Sequence, residues 1–187
     1  ARLRQEFVRI TSSLDKSREA LLVSLCKRSF ARRTIVFFPL RWQAHRMKIV
    51  FGLCGLNAGE LHGDMPQASR LAALQSFRDE EVDYLLCTDV AARGLDIPHV
   101  ETVINFAFPR EVSTYIHRVG RTARAGRSGV SVTLVGEKRR HLMKEVVKRA
   151  KANVKARTVP NSILNKCQKE IDSVEEEVTE IKKLEVS

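Results

Sequence analysis

The chain is poor in the features that mark secreted, disulfide-stapled or membrane-embedded proteins. Its four cysteines, Cys26, Cys54, Cys87 and Cys167, are scattered and form no C-x-x-C pair. That usage reads as reduced thiols of an intracellular protein, with Cys87 buried in its apolar run. No apolar run approaches the ~18 residues of a membrane span, and nothing resembles a signal peptide. No basic amphipathic segment with large apolar anchors stands out, so no membrane partner is expected. Acidic residues are also in deficit, 22 against 33 Lys plus Arg, for a net charge of +11. The deficit is regional. Residues 161–187 hold four Lys against seven acidic side chains, net −3, which leaves about +14 on residues 1–160. A basic domain of that kind has nucleic acid or phosphate as its first candidate partner, bound in a salt-dependent way.

What is present suffices for a core. With 187 residues, 43% of them apolar, the chain holds one full domain and an appendage. Short β-rich runs alternate with helical patterns. Strands are predicted at Gln5–Ile10, Thr34–Phe38, Gly59–His62, Asp83–Thr88, Thr102–Phe106 and Val130–Val135. Helices are predicted at Ser17–Lys27, from about Leu40 to Leu53, after Pro66 with a Leu71, Leu74, Phe77 stripe, at Glu111–Val119, and at Glu137–Lys151 with Leu142, Val146, Val147 and Ala150 inward. Ser17 is a candidate N-cap. This alternation predicts an α/β fold: a central parallel sheet covered on both faces, with ligands at the carboxyl ends of its strands. Residues 1–152 form the expected domain. Residues 153–187 are expected to be a linker and a helix whose Leu164, Cys167, Ile171, Val174, Val178 and Ile181 recur at spacings of three and four. That helix either docks on its own domain or binds a partner.

The chemistry-bearing stretch is Tyr115–Arg127, YIHRVGRTARAGR, with Arg118, Arg121, Arg124 and Arg127 at every third position. Gly120 and Gly126 interrupt a helix there. The guanidinium groups are therefore expected on a turn, suited to bidentate grip on phosphate rather than to a solvated helix face. Upstream lie Thr88–Asp96, TDVAARGLD, and the set His62, Gly63, Gln67 and Arg70.

Taken in this order, these segments resemble motifs of the DEAD-box RNA helicases: HGxxxQxxR, TDxxARGxD and HRxGRxxR. His117 at the head of the last motif points to the DEAD-box group, since the related DEAH helicases usually carry Gln there. The resemblance implies the C-terminal, RecA-like domain of such an enzyme over roughly residues 1–150, in three layers. It makes Arg121 and Arg124 arginine fingers on the γ-phosphate of ATP. It places Gly94 and Asp96 at the nucleotide, Asp96 on the ribose hydroxyls, and His117 at the coupling to the partner domain. Gly63, Arg70 and Thr88 are implied on the RNA phosphate backbone, where contacts carry little base readout. Gln67, Asp89, Arg93 and Arg118 are implied as supporting residues; for Arg93 and Arg118 a structural ion pair and a ligand contact are both open.

One position departs from the pattern. The F-x-x-T-K commonly found after the second strand reads Phe37, Phe38, Pro39, Leu40, Arg41. Leucine offers no hydroxyl to a phosphate and cannot cap a helix, a loss of roughly 1 kcal/mol relative to threonine. Trp42 follows, either in an exposed or half-buried packing role or stacked on a base.

No G-x-x-x-x-G-K-[ST] loop, D-E-A-D tetrad or S-A-T occurs in the chain. The phosphate cradle and most of the Mg²⁺ site are therefore expected on an N-terminal RecA-like domain of the same protein, and this domain alone is expected to be inactive. The expectation is half of an ATP-dependent RNA helicase. Residues KANVKARTVP and the tail resemble the nucleolar DEAD-box helicases of large ribosomal subunit assembly. That implies a nuclear, nucleolar protein in ribosome biogenesis and rRNA processing, with pre-ribosomal particle proteins as partners of the C-terminal helix. The rival expectations are a non-catalytic RNA-binding scaffold docking through that helix, and a DNA-directed helicase.

Overall fold

The computed structural model describes residues 2–89, 97, 99–124, 126–150 and 154–186. Seven strands build one parallel sheet: β1 (Leu3–Arg9), β2 (Thr34–Phe37), β3 (Ala58–Leu61), β4 (Tyr84–Cys87), β5 (Thr102–Asn105), β6 (Gly129–Val135) and β7 (Val154–Ala156). Their order is β3-β4-β2-β5-β6-β1-β7. The described residues contain α1 (Arg18–Arg28), α2 (Arg41–Leu53), α3 (Gln67–Arg78), α4 (Val112–Val119), α5 (Arg140–Arg149), α6 (Asn161–Ser173) and α7 (Glu175–Val186).

The apolar runs in the sequence become strands buried on both sides, and successive residues serve opposite layers. Val36 and Phe38, Tyr84 and Leu86, and Ile104 and Phe106 join one core with α1, α2 and the tail. Ile35 and Phe37, Leu85 and Cys87, and Val103 join a second core with Leu74 and Phe77 of α3. Phe7 and Val135 pack with Val112, Tyr115 and Val119 of α4 and Val146 of α5. The result is the three-layer arrangement predicted from the alternation.

Details of the helices differ from the sequence pattern. Leu71 is exposed, leaving Leu74 and Phe77 as the inward face of α3. Val147 is exposed too, leaving Val146 as the buried residue of α5, and the expected 137–151 helix opens with a 3-10 turn at Glu137–Arg139. Ser17 makes no side-chain cap to α1. Residues 154–156 form the edge strand β7, paired with Gln5–Phe7, where the pattern predicts a linker.

The tail is two helices rather than one, parting at Val174. Leu164, Cys167, Ile171 and Val178 are buried in the core shared with α1 and α2. The acidic tail meets basic partners on those helices. Lys27 bonds Glu170 at 2.5 Å. Arg46 holds Glu19 and reaches Glu175 with both terminal nitrogens at 2.9 Å. His45 is gripped from two sides, by Glu60 of β3 at 2.9 Å and Glu185 of α7 at 2.6 Å. Desolvation pulls the His45 pKa down, but the bonds to Glu185 and Glu60 outweigh it and raise it above the ordinary 6.5. Arg46 and Lys27 lower Glu175 and Glu170 below 4.5.

These shifts set a pH window. A raised histidine contributes stability that is full below its unfolded pKa and lost as pH rises through the folded value. A lowered carboxylate contributes above its unfolded pKa and loses that as pH falls through the folded value. The two tail helices together are therefore expected to be held most firmly between the two ranges, in mildly acidic solution. Amide hydrogen exchange in α7 should be slower at about pH 6 than at about pH 8.5 after correction for intrinsic rates, given the ordinary histidine range. His45→Gln should remove the difference.

Candidate functional site

The carboxyl ends of β3, β4 and β2 lie side by side because those strands are neighbours in the sheet. The His62–Gly63, Thr88–Asp89 and Pro39–Leu40 segments emerge there. The Thr88 N–H is already donated to the Leu61 carbonyl at 3.2 Å, which ties the first two loops together and leaves the hydroxyl as the Thr88 group for a ligand. Gly63 and Gln67 are exposed, and Thr88 and Arg70 are half-buried. Arg70 stands on the first turn of α3, its N–H bonded to the Pro66 carbonyl at 3.1 Å. Arg41, at the start of α2, forms an ion pair with Asp64, which fastens the loop after β2 to the loop after β3. Leu40 precedes α2 with no acceptor to offer; the Gln43 side chain instead reaches back to accept the Leu40 N–H at 3.1 Å.

Arg118 is not on the arginine turn. It lies within α4 and points into the protein, its side chain 6% exposed. Its Nε and Nη2 donate to the two carboxylate oxygens of Asp89 at 2.7 and 2.6 Å. Its Nη1 donates to Asn105 Oδ1 at 3.0 Å. The Phe37 ring lies 5.0 Å beneath the guanidinium. Asn105 is oriented in turn by donating to Thr133 Oγ1 at 3.0 Å. Of the two possibilities open for Arg118, the structure shows the ion pair. It bolts the loop after β4 to the helix that carries the arginine turn.

Arg121, Arg124 and Arg127 follow the end of α4. Arg121 is half-buried; Arg124 and His117 are exposed. Arg124 Nε donates to the Gly120 carbonyl, so its side chain folds over the C-terminus of α4. The turn is pinned below by Thr122, whose hydroxyl donates to the Val100 carbonyl at 2.8 Å. Tyr115 anchors α4 from the other side, stacked 5.1 Å from Phe108, with its hydroxyl donating to Gln5 at 2.7 Å. Arg93, Gly94 and Asp96 lie outside the described residues.

Gly129 supports this turn from β6. A Cβ there would collide with Thr122 Oγ1 and lie 2.5 Å from the Ala123 nitrogen, a backbone atom that cannot step aside cheaply. Gly129→Ala is expected to cost about 2 kcal/mol by overpacking. It should also displace the arginine turn. Denaturant unfolding checks the first effect, and ATP turnover of this chain joined to a DEAD-box N-terminal domain checks the second.

Sequence reasoning missed Asn105, Tyr115 and the Phe37 ring as parts of the site. One signal was available for Asn105. A polar residue ending an apolar strand buried on both faces must be hydrogen-bonded.

A family described as Helicase conserved C-terminal domain matches residues 16–126. The chain is 49% identical over 179 residues to DEAD-box ATP-dependent RNA helicase 28 of Arabidopsis thaliana, covering 96% of this chain and 23% of that protein. It is 51% identical over 183 residues to Probable ATP-dependent RNA helicase DDX27 of Homo sapiens, covering 98% of this chain and 24% of that protein. The E. coli DEAD-box protein SrmB, solved bound to regulator of ribonuclease activity A, superposes with a TM-score of 0.77 and 37% identity over 87% of this chain and 94% of that one. The chain thus spans about a quarter of the length of the curated relatives it matches.

Sheet order, carboxyl-edge loops and likeness to SrmB agree on a RecA-like helicase domain. More narrowly, the chain belongs to the DEAD-box RNA helicases, as their C-terminal domain.

Proposed function

We propose that this domain is the C-terminal half of an ATP-dependent RNA helicase and remodels RNA duplexes or ribonucleoprotein by opening and closing against an N-terminal RecA-like domain. The observation that carries the reading is the Asp89–Arg118–Asn105 bolt. One loop, bearing Thr88 for the RNA backbone, is joined to the helix that leads into the turn bearing Arg121 and Arg124 for the γ-phosphate. RNA seated on the Gly63, Arg70 and Thr88 surface thereby fixes the position of the arginines. Phosphoryl transfer needs positive charge on the transferring group and little else from this half. Arg124 leaves the Gly120 carbonyl to reach the phosphate, and Gly94 and Asp96 receive the nucleotide and its ribose. His117, exposed beside the turn, meets the partner domain. Mg²⁺ is held mainly by that partner domain. Gln67, Asp89 and Arg93 support the loops.

The site of action we propose is the nucleolus, in large ribosomal subunit assembly. Support comes from the resemblance of the KANVKARTVP segment and tail to the helicases of that process. A pre-ribosomal protein that bound the tail would meet its outer face, because Leu164, Cys167, Ile171 and Val178 of the apolar stripe are buried on the domain. This burial weakens the scaffold alternative, which relied on that stripe. Unwinding assays with the complete protein on matched RNA and DNA duplexes test the substrate class. RNA should be unwound and DNA left paired; equal unwinding of both would overturn the RNA assignment.

A further inference from the structure

Trp42 is the sole tryptophan of the chain. Its indole is 57% exposed on the first turn of α2, and Leu40 before it is 52% exposed. Arg41 between them is tied to Asp64, one residue beyond Gly63. Leu40 also lines a cavity of about 1000 Å³ together with Asp89 and Arg118. Leu40 thus neighbours Asp89, which follows Thr88, and Arg41 neighbours Asp64, which follows Gly63, so Trp42 stands one residue beyond the edge of the surface assigned to RNA phosphates.

The chemistry at this corner differs from that of its neighbours. Leu40 has neither charge nor hydroxyl for a phosphate, and an indole has only one N–H donor. What an exposed indole offers beside a phosphate-binding surface is a flat π-face. We propose that Trp42 is a base-stacking platform: an unpaired nucleobase of the RNA strand gripped at Gly63, Thr88 and Arg70 rests on its indole, with Leu40 against the base edge. Stacking is tolerant of sequence because every base has a π-face, so the contact adds affinity without base readout. It takes the place of the backbone contact that Leu40 cannot make. A protein partner fits the corner less well. Protein anchors of this kind work inside a wider apolar surround that excludes water, whereas here the charged Arg41–Asp64 pair adjoins the two side chains.

This inference rests on the RNA-face reading above, and the test separates the two. Because Trp42 is the only indole, its emission in the 187-residue chain reports stacking directly. The chain is titrated at low salt with an adenosine oligonucleotide and with an abasic phosphodiester strand of equal length. Binding is followed independently by anisotropy of the end-labelled strands. Both strands should bind, and only the base-bearing one should quench the emission. Trp42→Ala should weaken the adenosine strand by roughly 5- to 100-fold and leave the abasic strand unchanged, with Trp42→Phe recovering part of the loss. If both strands bind, emission does not change and Trp42→Ala binds as well as wild type, the stacking platform is overturned and the RNA face stands. If neither strand binds the wild-type chain, the RNA face and the platform fall together.

Discussion

Replacing Arg121 by alanine, in this chain joined to its own N-terminal RecA-like domain, is expected to lower RNA-stimulated ATP hydrolysis by roughly 10³- to 10⁵-fold, the range of arginine fingers in other nucleotide hydrolases. The charge on the transferring phosphoryl group is spread over its equatorial oxygens. A guanidinium placed there in advance stabilises the transition state more than bound ATP. The fold supplies the placement. α4 is anchored near its middle by Tyr115 and near its C-terminus by the Arg118 bolt, and Thr122 pins the turn immediately after Arg121. Lysine at position 121 should rescue only a small part of the rate, because an ammonium cannot present the planar fork. Circular dichroism, melting temperature and RNA binding should match the wild type. A variant that hydrolyses ATP at the wild-type rate would remove Arg121 from the transition state.

Arg118→Ala should behave in the opposite way, acting on the fold before it acts on chemistry. Removing one member of a buried, bidentate pair leaves the other without its counter-charge, at a cost of about 3–5 kcal/mol. Asp89 is 37% exposed and can recover some hydration, so the low end, about 3 kcal/mol, is expected. Asn105 Oδ1 would also lose its donor. For a chain of this size the melting temperature should fall by roughly 6–12 °C. Asp89→Ala should cost as much or more, since it strands a guanidinium that is nearly fully buried. The double variant should be less destabilised than the sum of the two, the signature of a direct pair. Additive losses in denaturant melts would mean that the two residues do not depend on each other.

The particular residues show which parts of this architecture a sequence discloses. The runs TIVFF, YLLC and TVIN declared strands buried on both faces, because only a sheet covered on each side tolerates apolar residues at every position. The motif spacing placed Gly63 and Thr88 on the loops after β3 and β4, at the carboxyl edge, whereas the turn bearing Arg121 follows α4 and rests on Val100 and Gly129, at the amino ends of β5 and β6. Arg118 was harder. The helix predicted to Val119 already contained it, but the sequence left ion pair and ligand contact both open, because its partner Asp89 is 29 residues away in the chain. A partner at that distance has no local signature. The tail failed for a related reason. Its stripe predicted one continuous helix, while the break at Val174 lets the two pieces follow the surfaces of α1 and α2 in turn. The ion pairs to Lys27, Arg46 and His45 that hold it there span more than a hundred residues.

The most direct test of the account is ATP hydrolysis, with and without single-stranded RNA, by three proteins: this chain alone, its N-terminal half alone, and the two joined in one polypeptide. RNA-stimulated turnover is expected in the joined protein only, with this half proposed to supply the arginines and the other the phosphate cradle. A joined protein that binds RNA yet hydrolyses no ATP would contradict it and leave a non-catalytic RNA-binding module in its place. Hydrolysis by this chain alone would contradict the division of labour between the halves.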